Sequence, residues 1–396
     1  MKILHFTQSV NPLAGGTIEA IKRLAEAHQR QGHLVEVVSL DPPAAPWVAQ
    51  SALTVHALGL RSSSYGYTPR LFPWMREHGR EFDIVVSHGL WQFNGFATWR
   101  ALSNSSTPFC VFPHGMLDPW FRKRYPLKHL KKWLYWLGAE HRVLRRADGV
   151  LFTCEEERLQ ARRTFWPYRC NEMVVSFGTA APTGEPERQR RCFLETFPRL
   201  RNKRLLLFLG RVHEKKGCHE LLRAFRQVLS AEKASEIHHL VMAGPADHTY
   251  GQGLKEAVIR LGLNDRVTWT GMLDGDLKWG AFHSSEAFVL PSHQENFGIA
   301  VAEALACGVP VLISNQVNIW REIEQDRAGL IENDDLAGTI RLLERWLRLA
   351  ADERTAMRHA ATQCFASRFE ITKAAEDLVR VFERLIDLKM KHCVRL

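Results

Sequence analysis

Pro291 to Val311 reads P-S-H-Q-E-N-F-G-I-A-V-A-E-A-L-A-C-G-V-P-V. An apolar strand, Glu286–Leu290, runs into it, and a polar turn holding Glu295 follows. A helix opens at about Phe297–Gly298, carries Glu303, and stops at Gly308 and Pro310, residue types that end helices. Small residues at Gly298, Ala300, Ala302, Ala304 and Ala306 let that helix lie close to its surroundings. Its N-terminus offers unpaired N–H groups and a partial positive charge, suited to an anionic or sugar-bearing ligand.

Outward from this stretch the same alternation of apolar runs and amphipathic segments continues, the signature of doubly wound α/β domains. In the first half the expected strands are Lys2–Gln8, Leu34–Leu40, Leu53–Leu58, Ile84–His88, Phe109–His114, Gly149–Thr153 and Met173–Phe177. Thr17–Gln31 reads as a helix, with Ile18, Ile21, Leu24 and Ala25 on one side. From Gly178 to Asn202 the composition turns to Thr, Pro, Glu and Arg with little periodicity, which places a linker there. A second series follows with strands Arg204–Leu209, His239–Ala243, Val267–Trp269, Ala287–Leu290, Val309–Ile313 and Gly329–Ile331. After Asp334 the chain reads as helical to about Lys389. Ligands of such sheets bind beyond the carboxyl ends of the strands, here in an expected cleft between two domains.

A chain of 396 residues exceeds one ordinary core, in keeping with two domains. No apolar run approaches the roughly 18 residues of a membrane span. The N-terminus begins at once as a strand, without the parts of a signal peptide, so a cytoplasmic location is expected. The eight cysteines show no C-x-x-C pair, which argues against zinc and a disulfide framework. The net charge of +10 is uneven, with +8 of it in residues 1–180. A partner that wants positive charge therefore meets the first half.

Six places carry chemistry. Gly15-Gly16, between the first strand and its helix, suits close approach of a phosphate, although it is a common turn pair and not G-x-G-x-x-G. His88-Gly89 and His114-Gly115 each close a strand and are expected to point into the cleft. His88 reads equally well as a structural residue, whereas the context P-H-G-M-L-D-P-W favours function for His114. Gly210–Gly217, G-R-V-H-E-K-K-G, puts Arg211 and the pair Lys215-Lys216 between a strand and a helix, a cradle for a pyrophosphate with Arg211 and Lys216 as its grips. Asp274-Gly275-Asp276 looks like a metal-binding D-x-D, but its place before a helix suits an N-cap. Glu295 and Glu303 are separated by about 12 Å if they share one helix. That exceeds the roughly 5.5 Å of a carboxylate pair acting together on one sugar, so two separate roles are expected. Trp120–Ala147 holds nine Lys/Arg, one Glu and six aromatics, with Leu127, Leu130, Leu134 and Leu137 at helical spacing. It reads equally as a helix that docks on an anionic membrane and as an ordinary domain helix with a solvated basic face. No nucleic-acid recognition motif accompanies it.

G-R-V-H-E-K-K-G, the A-G-P turn at Ala243–Pro245 and His293–Val311 together resemble the retaining glycosyltransferases of family 4, the glycosyl transferases group 1, with the GT-B fold. In the first half the Gly15-Gly16 loop and Gly32-His33 also look like that family. The resemblance implies two Rossmann-like domains: 1–180, binding an acceptor, and 203–372, binding a nucleotide-diphosphate sugar. A final helix, 373–396, returns to the first domain. It implies that Arg211 and Lys216 hold the diphosphate in place of a metal ion, and that Glu303 binds the ribose. Glu295, with the backbone amides of Asn296, Phe297 and Gly298, would clamp the donor sugar. His114 would lie near its anomeric face, Gly16 at a phosphate, and Gly244 and Met272 beside the donor. His88 and Gly15 would meet the acceptor. No cofactor or metal is implied, only a UDP- or GDP-linked co-substrate. The expected activity is transfer of a hexose to a glycan or lipid-linked acceptor, in surface polysaccharide or glycolipid synthesis, by a cytoplasmic enzyme; with a lipid-linked acceptor, Trp120–Ala147 would dock it on the inner face of the membrane. A nucleotide-sugar epimerase on the same fold and a non-catalytic carbohydrate-binding protein are the alternatives. The chain departs from the commoner family pattern at His293-Gln294 and in the extended H-G-M-L-D-P-W segment.

Overall fold

The computed structural model describes all residues except 13–15, 60–64, 232–237 and 394–396. The chain divides into two compact units, Met1–Gly178 with Ile371–Leu396, and Thr179–Glu370.

Among the described residues, the first unit is built on a seven-stranded parallel sheet. Its strands are β1 (Lys2–Phe6), β2 (Leu34–Ser39), β3 (Thr54–Ala57), β4 (Ile84–His88), β5 (Phe109–Phe112), β6 (Gly149–Phe152) and β7 (Glu172–Val174), in the order β3-β2-β1-β4-β5-β6-β7. The central strands are near-continuous apolar runs because both faces of a parallel sheet are covered by helices. Ile3, Leu4, Phe6, Val85, Val86, Val111 and Phe112 are fully buried. The helix Ile371–Cys393 packs against the helix Gly16–Arg30. His28 Nε2 lies 3.2 Å from the Ala375 carbonyl, and Ser176 donates to Asp377 at 2.6 Å.

The second unit holds β8 (Arg204–Leu209), β9 (His238–Ala243), β10 (Val267–Gly271), β11 (Ser285–Leu290), β12 (Val311–Ser314) and β13 (Gly329–Glu332), ordered β10-β9-β8-β11-β12-β13. Both sheets therefore reverse direction of winding once, between β1 and β4 and between β8 and β11. At such a switch point the loops that follow the two neighbouring strands diverge and leave a crevice.

One expectation is corrected. The stretch read as linker contains a helix, Pro186–Thr196, with Phe193 fully buried. It packs on the helix Gly275–His283 so closely that a Cβ on Gly280 would lie 2.2 Å from the Gln189 carbonyl oxygen. A helix that buries little beyond Phe193 and Gln189 leaves almost no apolar period in its sequence.

Candidate active site

In the second unit the loops after β8 and β11 meet at the switch point, and they are the two loops that the sequence marks. The cationic loop ends in a short turn, Glu214–Lys216, closed by Gly217 at φ +64°. A Cβ there would sit 2.1 Å from the Pro291 carbonyl oxygen, so the residue both turns left-handed and lets the loops touch. Ser292 Oγ and the His293 N–H both donate to the Lys215 carbonyl, at 3.0 and 2.8 Å. His293 in turn lies 2.9 Å from Asp334 and 3.7 Å from Glu220. These carboxylates raise its imidazole to about 9 and keep it charged. His293, where the chain departs from the family pattern, is thus a brace between loops.

Lys216 forms an ion pair with Glu295. Burial pulls its ammonium down towards about 7, with Lys215 and Arg211 adding to that pull. The carboxylate in direct contact opposes this, and the charged pair is the state the contact favours. Glu295 precedes the helix; it forms a β-bridge with Val317, and its N–H donates to the Gln316 carbonyl at 2.9 Å. Arg211 is exposed on the same loop, with no acidic partner among the described residues.

The helix itself runs Ile299–Ala306, with Gly298 as its left-handed N-cap. Glu303, 6% exposed, accepts from Lys278 at 2.8 Å through Oε1. Its Oε2 has no protein partner among the described residues. Each of the two glutamates therefore has its own lysine, so they do not form a dyad sharing a proton. Nothing in the local sequence marked Lys278; only the packing of its helix, Gly275–His283, brings it to Glu303. Phe297 turns inward and meets Phe369 edge-on at 5.6 Å. Gly244 lies against the cationic loop, where a Cβ would be 1.9 Å from the Gly210 carbonyl oxygen. Met272, just beyond β10, is 79% exposed. Asp274 is the N-cap of Gly275–His283, and Asp276 is engaged by Arg188 at 2.6 Å and Gln189 at 2.9 Å.

In the first unit the switch point holds three histidines. His5 Nδ1 lies 2.9 Å from His88 Nε2, and His88 Nδ1 lies 2.8 Å from His114 Nε2. Burial lowers all three, His5 to about 3 and His114 to about 4, so the rings are neutral at pH 7. A neutral imidazole donates from one nitrogen and accepts at the other, so the protons along the chain all point one way. His5 Nε2 is buried without a partner among the described residues. The polarity that leaves an acceptor there, rather than an orphaned N–H, puts the His114 proton on Nδ1. His114 has φ +50°, a strained value for a residue with a side chain. The neighbouring Gly115 N–H donates to Glu157 at 2.6 Å, which pins the turn. The sequence placed His88 at an acceptor; in the structure it is 4% exposed and both ring nitrogens are used by histidines. His5 was not foreseen; its one signal is a polar residue inside an apolar strand. Gly16 is the first residue of the helix Gly16–Arg30, and Gly15 lies outside the described residues.

The family described as Glycosyl transferases group 1 matches residues 195–363, and the Glycosyl transferase 4-like domain matches residues 15–178. The chain belongs to the family 4-like glycosyltransferases. It is 24% identical over 381 residues to the GDP-mannose:cellobiosyl-diphosphopolyprenol alpha-mannosyltransferase of Xanthomonas campestris, covering 93% of each chain. An uncharacterized glycosyltransferase of Methanocaldococcus jannaschii is 31% identical over 150 residues, an alignment that spans only 37% of either protein. Among solved structures, this glycosyltransferase superposes on sucrose-phosphate synthase from Thermosynechococcus elongatus with a TM-score of 0.73, at 19% identity, covering 98% of this chain and 99% of that one. Anabaena HepE in complex with UDP-glucose gives 0.74 at 16% identity, covering 97% and 100%. These likenesses establish the GT-B fold. Among the described residues of the glycosyltransferase, no helix is long and apolar enough to cross a membrane.

Proposed function

We propose that the enzyme moves a hexose, with retention of configuration and without a metal ion, from a nucleotide-diphosphate sugar to a hydroxyl of a glycan or lipid-linked acceptor. The observation that carries this is the meeting, at one switch point, of a loop with three cations, Arg211, Lys215 and Lys216, and a turn and helix with two separately neutralised carboxylates. Arg211 and Lys216 would hold the diphosphate and take up the charge that develops as the bond from the anomeric carbon to its phosphate oxygen breaks. Glu303 keeps Oε2 for the ribose hydroxyls while Lys278 occupies Oε1. Glu295 and the backbone amides at 296–298 would grip the sugar. The acceptor hydroxyl attacks from the face the diphosphate leaves, and its proton passes to a departing phosphate oxygen. Neutral His114 can donate from Nδ1 to the donor sugar. In support, the Xanthomonas relative is named for a GDP-mannose donor and a diphosphopolyprenol-linked acceptor, and HepE is described in complex with UDP-glucose.

Thermal stabilisation across a panel of nucleotide sugars tests the donor class, because a ligand that binds only the folded state raises the melting temperature. Glu303→Ala is expected to abolish that shift. Lys216→Ala should slow transfer by roughly a hundredfold, and transfer should persist in EDTA. A panel without any stabilising donor overturns the reading, and conversion of a donor without acceptor would make the enzyme an epimerase.

A further inference from the structure

Within the stretch Trp120–Ala147, the Pro126–Tyr135 helix behaves in the opposite way from an ordinary domain helix, whereas Trp136, Val143 and Leu144 are buried. The stretch breaks into Trp120–Arg124, Pro126–Tyr135, a π-turn at Trp136–Glu140, and His141–Arg146. On the Pro126–Tyr135 helix the leucines face outward: Leu127 is 83% exposed, Leu130 58% and Leu134 64%. The side turned toward the domain instead carries His129, Lys132 and Trp133; the Lys132 ammonium lies 4.8 Å from the centre of the Trp91 ring. A second segment adds to the exposed row. Phe165 is buried, stacked 4.6 Å from His129 and 5.0 Å from Trp136, and the Pro167 carbonyl accepts from Trp136 Nε1 at 2.9 Å. Between these two anchors Trp166 stands 77% exposed.

Beside the helix lies a cavity of about 830 Å³ lined by Arg122, His129, Trp133, Arg163, Trp166 and Arg169 among others. Arg122, Arg163 and Arg169 have no acidic partner among the described residues. Lys128 and Lys131 are exposed on the helix itself. Glu172, also at the cavity, is tied to Arg158 and Arg162.

We infer that this face is an interfacial docking surface for an anionic lipid bilayer, with Leu127, Leu130, Leu134 and Trp166 entering the headgroup–acyl boundary and the unpaired arginines taking lipid phosphates. Exposed apolar residues flanked by cations match the two layers of such a surface. A second copy of the chain would set cations against cations, which disfavours a dimer. Nucleic acid would leave the leucines facing phosphates. The inference deepens the reading of a lipid-linked acceptor and rests on it only for its purpose, because lipid binding is scored without donor or acceptor.

The test is flotation of the purified full chain with phosphatidylcholine vesicles, alone or mixed with phosphatidylglycerol, at rising salt. Binding is expected only with the anionic lipid and should weaken as salt screens it. Arg163→Gln with Arg169→Gln should lower affinity roughly fivefold per arginine. Leu127→Ser with Leu130→Ser should lower it on the order of tenfold or more, while an unchanged melting temperature shows that the fold is intact. Lipids brominated in the upper chain should quench tryptophan emission, an effect lost in Trp166→Phe. Equal flotation on neutral vesicles, or leucine variants that float like the parent chain, overturns the inference. A dimer that dissociates in the leucine variant without any vesicle binding assigns the face to a second copy and also overturns it.

Discussion

Lys216 and Glu295 form a partly buried ion pair, and breaking one side leaves the other charge uncompensated. Glu295→Ala should therefore cost about 3 kcal/mol of stability, whereas Lys216→Met with Glu295→Leu should recover most of it; denaturant unfolding of the two variants makes the comparison. The histidine chain gives a second residue-scale prediction. His5 keeps its neutral form down to about pH 3 in the folded state, but in the unfolded chain it takes a proton near pH 6.5. Its depressed value means that the unfolded state binds the extra proton, so stability falls as pH drops from about 6.5 toward 3. Between pH 7 and pH 5 this one group accounts for about 2 kcal/mol. His5→Asn should flatten the pH dependence by that amount, and an unaltered slope would remove His5 from the explanation. His114 should report the chain's purpose: His88→Ala, by releasing its tautomer, is expected to lower kcat more than KM, with partial rescue in His88→Asn.

Elements meet in this molecule through glycines at contacts, and those contacts set what each element can do. The helices Pro186–Thr196 and Gly275–His283 approach so closely at Gly280 that a side chain has no room. Gly280→Val should push them apart and destabilise by about 3 kcal/mol or more. Because Lys278 rides on the second of those helices, the same change should weaken nucleotide binding although Gly280 touches no ligand. Calorimetry of donor binding alongside melting would separate the two effects, and full-strength binding in a folded variant would show that Lys278 is positioned independently. The Pro126–Tyr135 helix teaches the converse lesson. Its leucine period was legible in the sequence, but a period states only that a helix has an apolar side. Which side faces the domain was decided by the aromatic shelf of Phe165, Trp91 and Trp136, residues that the sequence scatters across 75 positions.

For the whole molecule, the chain leaves the first unit at Gly178 and rejoins it at Ile371. The helix that rejoins it buries Ala375, Leu378 and Phe382. Deleting residues from Ile371 onward should uncover the helix Gly16–Arg30, measurable as faster amide exchange there while β8–β13 stay protected. By itself the sequence determined the alternation of strands and helices, and so the two doubly wound sheets, because parallel strands buried on both faces must be apolar throughout. It also marked Arg211, Lys216, Glu295, Glu303 and His114 as candidates, because polar residues in the turns that follow apolar strands, and a glutamate inside a helix of small residues, stand out locally. Tertiary structure alone decided the partners. Lys278 for Glu303, Glu295 for Lys216, and His5 and His88 beneath His114 lie between 25 and 83 positions apart. No local pattern encodes such pairings, since they arise only when strand order at a switch point brings distant loops together. The helix Pro186–Thr196 stayed hidden for a related reason: it is held by a close approach to Gly280 and one buried phenylalanine rather than by a stripe. The segment Pro291–Val311 thus revealed a strand, a turn and a helix, and the fold supplied each of its two carboxylates with a lysine.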